Sequence, residues 1–107
     1  MAQDPIHGKT IRWTFDNGPM EGKTYEHTFE KGGAVSFSEV KDGKSGKASR
    51  VEKSEVAEVG EDVYAVSYLG ESGFTLTTVL DFRTNKLVAF ASNEKELTLQ
   101  SGTFETT

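Results

Sequence analysis

The sequence predicts an all-β domain, an eight-stranded antiparallel up-and-down barrel spanning residues 1–107 as one unit. Three observations lead there. In most segments apolar residues recur at every second position, the period of a strand whose side chains alternate between two faces. Short clusters containing Gly, Asn or Asp separate those segments. No long helix comes between them, so each strand pairs with the next. Curling the resulting sheet into a barrel buries one face and removes both edges.

Residues 1–8 read as an irregular lead-in. "TIRWTFD" (Thr10 to Asp16) then sets Ile11, Trp13 and Phe15 on one face, and "KTYEHTFE" (Lys23 to Glu30) does the same with Tyr25, His27 and Phe29. Between them, Asn17-Gly18 is a strong signal for a two-residue hairpin turn, but Pro19 follows at once. Proline cannot donate to a hairpin ladder and favours a second turn. The expectation is therefore a wider rim loop over Pro19 to Gly22, with Met20 at its tip or folded over the barrel mouth as a lid.

"AVSFSEVK" carries Val35, Phe37 and Glu39 on one side, and Asp42 to Gly46 is a turn cluster. The fourth segment, "KASRVEKSEVAEV" (Lys47 to Val59), is ambiguous. Val56 and Val59 fit helical spacing, whereas Val51, Ala57 and Val59 fit a strand, and its neighbours favour the strand. "VYAVSYL" (Val63 to Leu69) is rich in β-favouring residues and places Tyr64, Val66 and Tyr68 on one face. "FTLTTVLDF", "KLVAFAS" and "ELTLQSGTFE" complete the eight strands, joined by turns at Arg83-Thr84-Asn85 and Asn93-Glu94-Lys95.

Composition narrows function. The chain has no cysteine, so disulfides, thiolate metal sites and a thiol nucleophile are excluded. Two histidines do not make a typical catalytic zinc site, and the glycines form no phosphate-cradling loop before a helix. No metal or other cofactor is expected. Seventeen acidic against twelve basic residues give a net charge of −5, and the basic ones are interleaved with acids. That argues against a nucleic-acid surface. No segment reaches the roughly 20 apolar residues that span a bilayer, and the N-terminus lacks a signal-peptide pattern. The expectation is a cytoplasmic protein with neither nucleic-acid nor membrane partners.

The run "WTFDNG" with "TYE" beyond it, then "DVYAVSYLGESG" and a hydrophobic strand pair, resembles the calycin (lipocalin-like) barrels of bacterial phenolic acid decarboxylases. It is still more similar to the small MoaF-like domains, over roughly Lys9 to Ser92. The decarboxylase resemblance implies two tyrosines on the first strand, an arginine on the fourth and a glutamate after the fifth. Here those positions carry Trp13 and Phe15, Lys47, and Gly70 with Glu71 one residue out of register. Neither Trp nor Phe offers a phenolic hydroxyl, and lysine lacks the bidentate fork of arginine. The resemblance thus implies a decarboxylase relative without the decarboxylase site. The MoaF-like resemblance implies a link to molybdenum cofactor metabolism and leaves room for a pterin or another small aromatic ligand.

The parity of Trp13 and Phe15 carries Tyr25, His27, Tyr64 and Tyr68 to the interior, as an aromatic lining that either encloses a small apolar or aromatic molecule or simply fills the barrel. Phe37 and Glu39 share a face of the third strand, and Met20 belongs to the rim loop. Glu39 and Lys47 flank the next turn, where they can form an ion pair or hold a charged ligand group. The expected ligand-binding set is therefore Trp13, Phe15, Met20, Tyr25, His27, Phe37, Glu39, Lys47, Tyr64 and Tyr68. Two alternatives stand beside a binding protein. One is a lyase or isomerase using Lys47, His27 and a tyrosine as acid and base; the other is a structural module whose outer apolar strands form a homodimer.

Overall fold

The structure, a computed structural model, describes residues 5–70 and 73–106. Its regular structure there is all β: β1 (Lys9–Asn17), β2 (Thr24–Phe29), β3 (Val35–Lys41), β4 (Lys44–Ser45), β5 (Ser49–Val51), β6 (Ser54–Gly60), β7 (Val63–Leu69), β8 (Thr75–Asp81), β9 (Lys86–Ser92) and β10 (Leu97–Thr106). They form one antiparallel sheet in the order β4-β3-β2-β1-β10-β9-β8-β7-β6, with β5 also paired to β3. The first strand lies beside the last, Trp13 opposite Phe104 and Arg12 opposite Glu105.

The expected eight-strand closed barrel is corrected in two respects. The Lys47 to Val59 stretch is not one strand. Val51 sits opposite Val35 and holds β5 on β3, whereas Val56 sits opposite Val66 and holds β6 on β7. Between them Glu52 and Lys53 are both exposed, so nothing there can be buried to continue a ladder. The sheet is consequently open: among the described residues no ladder joins β5 to β6. Ser54 Oγ donates to the Gly33 carbonyl oxygen at 2.9 Å across this seam.

Turn chemistry explains the connections. A two-residue hairpin turn lies at Asp42-Gly43, where both residues have positive φ, 53° and 77°, as the type I′ turn requires. Asn17-Gly18 instead opens the 18–23 loop, stitched by Gly22 N–H to the Phe15 carbonyl at 2.8 Å and Phe15 N–H to the Lys23 carbonyl at 2.9 Å. A Cβ on Gly18 would press into Leu99 and Gln100, so the loop lies tight across β10. One at Gly102 would overlap the Thr14 carbonyl oxygen, where the β1–β10 register slips between Phe15 and Asn17.

The curled sheet has a distinct inside and outside. Ile11, Phe29, Val35, Val66, Leu80 and Leu87 are all but completely buried inside, and Ile6 of the irregular lead-in joins them. Outside, β1 and β2 carry a polar ladder: Thr10 with Thr28 at 3.0 Å, Arg12 with Glu26 at 2.9 Å and Thr14 with Thr24 at 2.9 Å. On β9 and β10 the outer face is apolar instead, with Val88, Phe90, Leu97 and Leu99 exposed and Leu99 opposite Phe90. No helix among the described residues is long and apolar enough to cross a membrane.

Candidate functional site

The interior has two differently filled ends. Tyr64 and Tyr68 share the inner face of β7, but four residues of strand set them roughly 13 Å apart. At the Tyr64 end the space is filled: Tyr64 meets Phe82 edge-on with centroids 5.9 Å apart, and Phe82 meets Phe104 at 4.9 Å. At the Tyr68 end a cavity of about 360 Å³ remains.

Trp13 and Phe15 of β1, Tyr25 and His27 of β2 and Phe37 of β3 form one wall of this cavity, and Tyr68 of β7 faces them. The 18–23 loop contributes Pro19 and Met20; Met20 is half-buried and packed on the core. Of the expected set, three residues lie elsewhere. Tyr64 belongs to the filled end. Lys47 is exposed in the break between β4 and β5. Glu39, opposite Tyr25, points its carboxylate toward Lys41 at 4.0 Å. Glu71 lies outside the described residues.

The opposite wall was not anticipated. It is built from Phe74 just before β8, Leu76 and Thr78 of β8, Ala89 and Ala91 of β9, and Thr98 and Gln100 of β10, with Glu96 at the exposed rim. The sequence signal for it is parity: Gln100 shares a face with Gly102 and Phe104, while the more conspicuous Leu97 and Leu99 point to solvent.

His27 is held on several sides in the site. Its ring stacks on Trp13 with centroids 3.8 Å apart and planes within 20°, and on Phe37 at 5.4 Å and 17°. Its Nε2 lies 2.8 Å from the Tyr68 hydroxyl. Burial pushes the His27 pKa down to about 3 and raises that of Tyr68, so both are neutral at physiological pH. His27 Nδ1 has no hydrogen-bond partner among the described residues. A buried N–H without a partner is rarer than a buried acceptor without one, so the proton belongs on Nε2, donated to the Tyr68 oxygen. The Tyr68 O–H is then free to turn toward the cavity. Tyr25 is also raised, by burial and by the charge of Glu39.

Such a lining can hold a flat apolar ring by stacking and dispersion and orient it with a few neutral polar groups. It is ill-suited to proton transfer near pH 7, since neither His27 nor Tyr68 titrates there. No cluster of metal-ligating side chains occurs among the described residues.

No curated protein matches the chain. Its fold is similar to that of a crystal structure from Burkholderia vietnamiensis that carries a provisional beta-lactamase designation, at TM-score 0.79 and 18% identity over 100% of both chains. At that identity the likeness is one of fold. The sequence itself says more: the family model for the MoaF N-terminal domain matches residues 1–96, every strand but β10, and the chain belongs to that family.

Proposed function

We propose that this protein binds a small apolar or aromatic molecule in the cavity at the Tyr68 end of its curled, barrel-like sheet. The observation that carries this reading is a cavity of about 360 Å³ walled mainly by aromatic and other apolar side chains, a volume at the low end of small-molecule pockets. One or two fused rings fit within such a space. Trp13 is the only tryptophan and lies in the wall, so its fluorescence reports occupancy. Titration with a panel of uncharged aromatic compounds is expected to quench or shift it saturably; a flat response across the panel would remove the reading. A place in molybdenum cofactor metabolism rests on family membership alone.

The acid–base alternative is less well supported, because Lys47 is exposed and separate from the cavity wall that holds His27 and Tyr68. The fold neighbour's designation does not transfer either. Ser38 with Lys41 and Ser92 with Lys95 have the spacing of the lactamase Ser-x-x-Lys motif, but none of the four lines the cavity. The exposed strip of Val88, Phe90 and Leu99 favours a homodimer as an additional property. Light scattering at several concentrations would show it, and a concentration-independent monomer would dismiss it.

A further inference from the structure

The cavity's polar groups narrow its ligand further, and this step rests on the binding reading above. The lining residues include no lysine or arginine, and their single formal charge, Glu96, sits at the exposed rim. A carboxylate brought inside would lose its hydration without meeting a cation, which is strongly unfavourable. Gln100 is only 5% exposed, it lines the cavity, and its Oε1 has no hydrogen-bond partner among the described residues. A buried carbonyl oxygen left without a donor is uncommon and destabilising. Every other position on the inner face of β10 near it, Thr98, Gly102 and Phe104, is smaller or less polar, so Gln100 is the long polar side chain that strand offers the cavity.

We infer that Gln100 is a specificity-determining residue that selects an uncharged aromatic ligand bearing an N–H or O–H group, the ligand donating to Gln100 Oε1. Leucine at this position would serve the fold as well or better, since it packs without an unsatisfied polar atom. The ligand supplies the missing donor, and the stacked Trp13, His27 and Phe37 rings supply a flat surface for its ring. The free Tyr68 O–H can in turn meet an acceptor on the same ligand.

The test uses probes of equal shape and different polarity. Isothermal titration calorimetry on the full chain compares indole, which has one N–H, with benzothiophene, which has none, and with indole-2-carboxylate. Indole is expected to bind about tenfold more tightly than benzothiophene, the factor given by one neutral hydrogen bond, and at least tenfold more tightly than the carboxylate. In Gln100→Leu and Gln100→Met the preference of indole over benzothiophene is expected to vanish. The wild-type comparison needs no variant and so is independent of any folding defect. Equal affinities for indole and benzothiophene in the wild type would overturn the role of Gln100 while leaving the cavity as a binding site. Tighter binding of the carboxylate would overturn the selection against anions. Binding of none of the three would overturn both this inference and the reading on which it rests.

Discussion

The imidazole of His27 and the hydroxyl of Tyr68 lie 2.8 Å apart although 41 residues separate them in sequence and β1, β10, β9 and β8 intervene in the sheet. Only a strongly curled sheet can bring them together. Where the hydrogen-bond ladder leaves a seam between β5 and β6, this side-chain bond ties the inner faces of the two halves. Tyr68→Phe removes the partner of a buried imidazole nitrogen and should cost about 1–3 kcal/mol. Urea unfolding of Tyr68→Phe, His27→Phe and the double variant gives the coupling directly. A value near zero would mean that the pair does not hold the curl.

Acid should loosen the protein well before its carboxylates are protonated. The His27 pKa is depressed from 6.5 in the unfolded chain to about 3 in the fold, so between those values the unfolded chain binds a proton that the folded one excludes. Stability linked to His27 is fully present above about pH 6.5 and falls as pH drops toward 3, at up to about 1.4 kcal/mol per pH unit. Denaturation midpoints measured from pH 7 to pH 4 should decline for the wild type and be flatter for His27→Phe.

Gly102 should be irreplaceable for a backbone reason. Any Cβ there collides with the Thr14 carbonyl oxygen and the Phe15 backbone, so Gly102→Ala must push β1 and β10 apart at the central ladder of the sheet. A loss of several kcal/mol, on the order of 3, is expected. Gly32→Ala is the control: a Cβ there meets nothing within 4 Å, and the change should be neutral or slightly stabilising. Thermal melts of the two variants would separate these outcomes.

The 18–23 loop should act on affinity and not on the fold. Met20 lines the cavity from a loop whose own hydrogen bonds are backbone to backbone. Met20→Ala should therefore weaken binding of an uncharged aromatic several-fold and leave the melting temperature within a few degrees of the wild type. Unchanged affinity would reduce the loop to a surface connection.

Much of this architecture was legible wherever burial and alternation agree. Trp13, Phe15, His27 and Phe29 on β1 and β2, and Tyr64, Val66 and Tyr68 on β7, are all buried on the face their parity indicated. Legibility failed where alternation misleads. On β10 the apolar Leu97 and Leu99 mark the outer face, while Gln100 and Gly102 face inward, so the cavity's second wall is disguised as a solvent-facing pattern. It failed again at Lys47 to Val59, where two adjacent exposed charges at Glu52 and Lys53 end one pairing and begin another. Tyr64 was misplaced for a third reason: periodicity assigns a face but not a depth along the strand, and depth separates the filled end from the open one.

The central claim, that the Tyr68 end is open and receives a ligand, is tested most directly by nuclear magnetic resonance on protein labelled at methionine methyls and the tryptophan side chain. The chain has one tryptophan, and Trp13 and Met20 both line the cavity and so report it. On titration with indole, the Met20 and Trp13 signals are predicted to shift along one common saturation curve. Met20 and Trp13 signals that remain unmoved, or that drift linearly without saturating, would contradict it.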